Sequence, residues 1–191
     1  MTIESRATSR GPTPLRYLFV PILLGALVAF IIGLVARHEA IAPGAYPGSY
    51  IRLFFSDSLY FKAWCATAAF VLALLQPLSA ASMFGRLGLP RPRWIAGFHR
   101  WNGRVVLLLT LPVAYHCVFR IGFQDTTSRV AAHAVLGCAL YGAFVAKIMI
   151  VRWRRFATWA IATAGGVLLA VLAATWYTSA LYLFRTAGFH R

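Results

Sequence analysis

Acidic side chains are nearly missing from this chain: four Asp and Glu stand against 19 Lys and Arg in 191 residues, a formal net charge of +15. None of the four falls in an apolar run, which weakens any transporter that works by protonating a buried carboxylate. Cysteine is scarce as well. Cys65, Cys117 and Cys138 lie at mismatched positions inside apolar stretches, and an odd count builds no disulfide framework. They read as small buried residues. No C-x-x-C-H sequence occurs, so covalent c-type haem attachment has no support. No G-x-G-x-x-G segment and no flavin domain is present, so the chain cannot itself collect hydride electrons. Charged residues of any kind make up only 12%, against 60% hydrophobic and a mean hydropathy of +0.71. That balance excludes an ordinary soluble domain.

What the chain has instead is long uncharged runs, at 17–36, 63–85 and 156–184, each about the length that spans a bilayer's hydrocarbon core. Two shorter runs, 105–119 and 130–146, become spans once their interfacial flanks are added. The pattern predicts an all-α integral membrane protein, a bundle of five helices near 15–36, 59–84, 99–121, 129–151 and 156–184. Residues 14–185 form the single transmembrane domain, 1–13 a disordered cytoplasmic N-terminus, and 186–191 a short outer tail. The first apolar run is too long for a cleavable signal peptide, and no small-x-small site follows it.

The placement of the basic residues gives the orientation. With the N-terminus inside, twelve of them (Arg6, Arg10, Arg16, Arg86, Arg91, Arg93, Arg100, Arg104, Lys147, Arg152, Arg154 and Arg155) are cytoplasmic and seven are outside. Positive loops are retained inside, so the expectation is N-in and C-out in a bacterial plasma membrane. The same placement, at membrane edges beside anionic headgroups, argues against nucleic acid as a partner.

Between helices one and two runs a loop punctuated by Gly and Pro, RHEAIAPGAYPGSYIRLFFSDS. His38 belongs to it and reads as a solvated residue. Helix two opens on the interfacial aromatics Tyr60, Phe61 and Trp64. Its Thr67, Gln76, Ser79 and Ser82 are expected to bond to a neighbouring helix or to their own backbone. In helix five, Gly165-Gly166 marks a flexible or closely packed point.

The chemistry concentrates in Gly97–Lys147, which holds three of the five histidines. His116 falls about one turn before the loop joining helices three and four, and His133 about one turn after it. In a tight antiparallel hairpin the two imidazoles would face each other at one depth. At ~100° per residue, the His116 face of helix three is Val105, Leu109, Pro112, His116 and Arg120. The His133 face of helix four is Arg129, His133, Gly137, Leu140, Phe144 and Lys147. Arg120 and Arg129 each stand one turn outward of a histidine, suited to the propionates of a haem. Gly137, one turn deeper, leaves room for a porphyrin face. Histidine in a membrane is functional by default, and neutral imidazole ligates iron. The expectation is one haem b per chain with His116 and His133 as iron ligands and Arg120, Arg129 and Gly137 around it. Two imidazoles alone cannot complete a tetrahedral zinc site. Against this stands the plain alternative that each histidine only bonds a neighbouring helix and each arginine only anchors at the interface.

The segment FHRWNGR, followed by a histidine in the same helix, resembles the helix start of ferric-reductase-like transmembrane domains and related b-type cytochromes. LPVAYHCVFRIGFQDT and HAVLGCALYGAFVAK resemble an uncharacterised family of bacterial membrane proteins, domain of unknown function six-five-two-nine, from about Phe54 to Phe184. The first resemblance implies bis-histidine haem and electron transfer, carried onto His116 and His133; the second implies no activity. Stacked haems would need another histidine about fourteen residues along each helix, where Asn102 and Lys147 stand instead. His99, set about 100° round the helix from His116, reads as an interfacial residue that contacts a headgroup, a quinone or a partner subunit.

Three function classes follow. The preferred one is a membrane cytochrome, or a cytochrome subunit of a membrane complex, whose single haem near the outer face exchanges electrons with quinol or an external redox protein. Such a chain is an electron-transfer component rather than a self-contained enzyme. A haem-free structural or assembly subunit comes second and a transporter third. The orientation is tested by reporter fusions: one after Arg191 should be active outside and one in the Arg152–Arg155 connector inside. The reverse pattern would move the histidines to the inner side.

Overall fold

The computed structural model describes residues 15–42, 51–88, 90–153 and 156–189. The expectations for 1–13 and for the last two residues of the tail lie outside them, as do Arg154 and Arg155. Five helices are long and apolar enough to cross a membrane, the architecture of a multi-pass membrane protein, and all the regular structure among the described residues is helical. α1 is Phe19–His38, entered through a 3-10 turn at Leu15–Leu18. α2 is Ser58–Met83. α3 is Ile95–Tyr115, continued by a π turn at His116–Ile121. α4 is Ser128–Arg152. α5 is Thr158–Trp176, continued by a second π turn at Tyr177–Leu181 and a last stretch at Tyr182–Ala187. His38 is the last residue of α1 rather than a loop residue.

Local chemistry explains the starts and stops. The Asp57 carboxylate accepts from Leu59 N at 2.8 Å and so caps α2, while Thr127 Oγ1 accepts from Val130 N at the start of α4; each satisfies an amide that a helix N-terminus leaves open. α3 ends at Gly122, whose φ of +76° suits glycine. A side chain there would also collide with the backbone of Ala36 and Ala40. Large apolar side chains such as Leu23 (64% exposed) and Leu108 (62%) face outward, as lipid-facing residues must when the surrounding solvent is hydrocarbon.

The helices form a ring in the order α3, α2, α5, α4, α1, and α1 closes it against the π turn of α3. α2 and α3 pair through polar groups: Gln76 Nε2 donates to His99 O (3.0 Å), Asn102 Nδ2 donates to Leu72 O (2.8 Å), and Ser79 Oγ lies 2.8 Å from His99 Nδ1. α2 and α5 are joined by the Phe70–Trp176 stack and by Trp176 Nε1 donating to Thr67 Oγ1 at 2.9 Å. α1 and α4 cross at Gly25 and Gly142, where a β-carbon on either would run into the other's carbonyl oxygen. This close backbone approach is the packing that membrane helices use when apolar burial gives them no driving force.

The hairpin of α3 and α4 is not tight. α3 lies along α2 and α4 lies between α1 and α5, so the two diverge from the loop at 122–127 around an open space. The physical reason is partner choice: the α2–α3 hydrogen bonds and the Gly25–Gly142 crossing draw the two helices apart. The crossing can be probed directly. Gly142→Leu should destabilise the purified protein by at least the ~1–3 kcal/mol of an overpacked core, read as a fall in thermal midpoint. Gly166→Leu, where a β-carbon meets nothing within 4 Å, should leave it nearly unchanged.

Candidate functional site

The space inside the ring is a cavity of about 620 Å³ at the end of the bundle that carries the α3–α4 loop. This volume lies in the range of cofactor and ligand sites, ~300–1,000 Å³. All five helices contribute to its wall, which is mostly apolar. At its inner limit Tyr141 donates its hydroxyl to Thr110 O across the gap between α4 and α3, at 3.0 Å. Thr110, Leu140, Tyr141 and Leu172 also line a second, smaller cavity of about 60 Å³ that reaches Gln76, Phe144 and Lys147.

α4 presents its histidine face to these spaces. Arg129, His133, Gly137 and Leu140 line the large cavity, and Leu140, Phe144 and Lys147 line the small one. His133 Nδ1 lies 3.3 Å from Thr178 Oγ1. That hydroxyl is also 2.9 Å from Ala174 O. With its hydrogen on that carbonyl, the hydroxyl accepts from the imidazole; we assign the proton to Nδ1 on this basis, which leaves Nε2 its lone pair. Arg129 Nη1 donates to Thr178 O at 2.6 Å, and its guanidinium lies 3.7 Å from the centre of the Tyr182 ring. Thr178 thus holds both residues at once. It sits in the second π turn, where the extra residue per turn releases carbonyls from the regular ladder, and such turns are frequent at functional sites.

α3 presents a different face from the one its periodicity suggests. Thr110, Val113, Ala114, Cys117, Val118 and Ile121 line the cavity; His116 and Arg120 do not. His116 has no exposed surface at all. Its Nε2 accepts from Ile51 N at 3.1 Å, which puts the proton on Nδ1, and Nδ1 donates to Pro112 O at 2.7 Å. Its ring meets the Phe61 ring edge-on, with 6.0 Å between centres. The imidazole thus faces α2 and the segment before it. Two features defeat a count at ~100° per residue: Pro112 inside the helix and the π turn that begins at His116. Arg120 lies half-buried in that turn. His99, paired with Ser79, belongs to the α2–α3 contact away from the cavity.

Two contributors escaped the reading of the sequence. Thr178 carries no sequence signal of its own, because its role depends on α5 lying beside α4. Lys62 does carry one, as a lone cation at the edge of an apolar run, but that pattern ordinarily marks an interfacial anchor. Here Lys62 is only 8% exposed and lines the cavity. Cys117 and Cys138 line it too, with free thiols. Among the described residues no three His, Cys, Asp or Glu side chains come together as a bare-metal site.

Fold and site together define a five-helix membrane protein built around one apolar chamber with basic and imidazole groups at its loop end. The chain belongs to a family of unknown function, DUF6529, whose model matches residues 18–191. No curated protein and no solved structure matches it.

Gly137 separates the chamber from the packing of the fold. A β-carbon there meets nothing within 4 Å, although the residue stands on the cavity wall. Gly137→Leu should therefore hold or raise the thermal midpoint while filling the chamber. A drop as large as that of Gly142→Leu would show that the space is closed in solution.

Proposed function

We propose that this chain is a membrane b-type cytochrome, alone or as a subunit of a membrane complex, that holds one haem b in the large cavity and exchanges electrons with quinol or an external redox protein. The observation that carries the reading is the His133 imidazole on the wall of an apolar, cofactor-sized chamber. Thr178 holds the ring through Nδ1 and leaves the Nε2 lone pair for iron, the outer-shell arrangement typical of metal-binding histidines.

The residues present fit the group on three counts. Gly137 and Ala134 leave a flat, open stretch of wall beside the histidine. Arg129 brings a fixed positive charge for propionates, held against Thr178 O. The remaining wall is hydrocarbon, which limits water around a metal centre and so tunes its potential. His116 is the second ligand of this reading. Its Nδ1–H donates to a carbonyl, as a ligand histidine's does, but the ring faces Phe61 and Ile51 N rather than the cavity, so ligation requires the ring to turn toward the cavity and release the Ile51 amide. Bound haem supplies one-electron exchange between ferric and ferrous iron. With the N-terminus inside, the chamber lies near the outer face, far from cytoplasmic nicotinamide donors.

One observation favours a second reading. Both nitrogens of His116 are satisfied by backbone groups in a fully buried position, as expected of a histidine that ties α3 to the segment before α2. In a haem-free structural subunit that tie would be its whole role.

The absorption spectrum of protein purified after haem-replete expression separates the two. A b-type cytochrome should show low-spin bands and about one iron porphyrin per chain. His133→Ala should abolish them, His116→Ala should abolish the low-spin signal, and His99→Ala should leave the spectrum intact. A colourless protein, or bands that survive His133→Ala, would overturn the proposal.

A further inference from the structure

The cation that stands out in this bundle is Lys62. It lies in the second turn of α2, among the buried residues Ser58, Phe61 and Ala63, and it is one of the residues that line the large cavity. It makes no hydrogen bond or ion pair among the described residues. Every carboxylate among them is elsewhere: Asp57 caps α2, Asp125 pairs with Arg37 at 3.4 Å, and Glu39 is exposed beyond the end of α1. A buried ammonium without a counter-ion is costly. Arg129 lines the same cavity and commits one guanidinium N–H to Thr178 O, from a group that carries five. The chamber therefore has two cations and no anion, while its deeper wall is Val113, Ala134, Leu140 and Leu172.

We infer that Lys62 and Arg129 form a carboxylate anchor, so that the cavity takes an apolar acid whose acid end points toward the α3–α4 loop. The inference deepens the haem reading, in which the acid is a pair of propionates. The same chemistry would also hold a free fatty acid from the membrane. Lys62 is then the missing half of the propionate site, in the place that spacing alone assigned to Arg120.

The test titrates the detergent-purified full chain with haemin and with haemin dimethyl ester, followed by the Soret band. The wild type should bind the free acid at least about tenfold more tightly than the neutral ester, the scale of one charge-assisted contact. In Lys62→Met that preference should fall severalfold, to the part that Arg129 alone supplies, and Lys62→Arg should restore it. The thermal midpoint of ligand-free Lys62→Met should equal or exceed the wild type's, because an unpaired buried charge has been removed. If neither porphyrin binds, the haem reading fails by itself. The anchor is then judged by native mass spectrometry with oleate and oleyl alcohol, where retention of oleate alone, lost in Lys62→Met, supports it. Equal binding of acid and ester, equal retention or loss of both oleyl compounds, or a Lys62→Met protein less stable than the wild type would overturn it.

Discussion

The contact on which the rest depends is the crossing of α1 and α4 at Gly25 and Gly142. Two helices in a bilayer gain nothing from hiding apolar surface, since lipid is equally apolar. They gain from close backbone contact, which these two glycines allow and any side chain would forbid. The crossing sets α4 against α1 rather than against α3, its neighbour in the chain. On the other side, polar bonds from Gln76, Ser79 and Asn102 hold α3 to α2. With both helices committed elsewhere, the space between them stays open.

That space is where the electrostatics of the chain become unusual. A protein with 19 basic and four acidic side chains cannot neutralise its cations internally, and most of them lie where headgroups or water can. Lys62 and Arg129 are drawn inward instead, to one end of a hydrocarbon-walled chamber. Local attraction between unlike charges is strongest in such surroundings, so an acid carried on an apolar body is the complement of this wall. The neutral imidazole of His133 stands between these cations and the apolar depth, its tautomer set by Thr178. One threonine in a π turn thus orders both the histidine and the arginine. At that point α5 runs as a π turn, and the Thr178 carbonyl in it accepts from Arg129 of its neighbour.

The two histidines singled out by spacing have different surroundings. His133 lies on uninterrupted α-helix, so periodicity assigns its face, and Arg129, Gly137, Leu140, Phe144 and Lys147 line one or other cavity with it. His116 follows a proline and begins a π turn. Its ring is turned to Phe61 and Ile51, and Arg120 is carried off the wall with it. Lys62 shows a different limit. A lysine beside Tyr60, Phe61 and Trp64 looks like an interfacial anchor, and only the packing of that turn of α2 within the bundle makes it a buried one.

Sequence by itself determined the number of crossings, the all-helical class and the face of α4. Hydrocarbon thickness demands a minimum apolar length, and a regular helix repeats its faces every 3.6 residues. Only the tertiary structure decided which helices touch, that α3 and α4 enclose a chamber rather than a seam, and that Lys62 and Thr178 belong to it while His116 faces away. Those outcomes rest on contacts between residues far apart in the chain, Gly25 with Gly142 and Thr178 with His133. Local periodicity carries no information about such contacts.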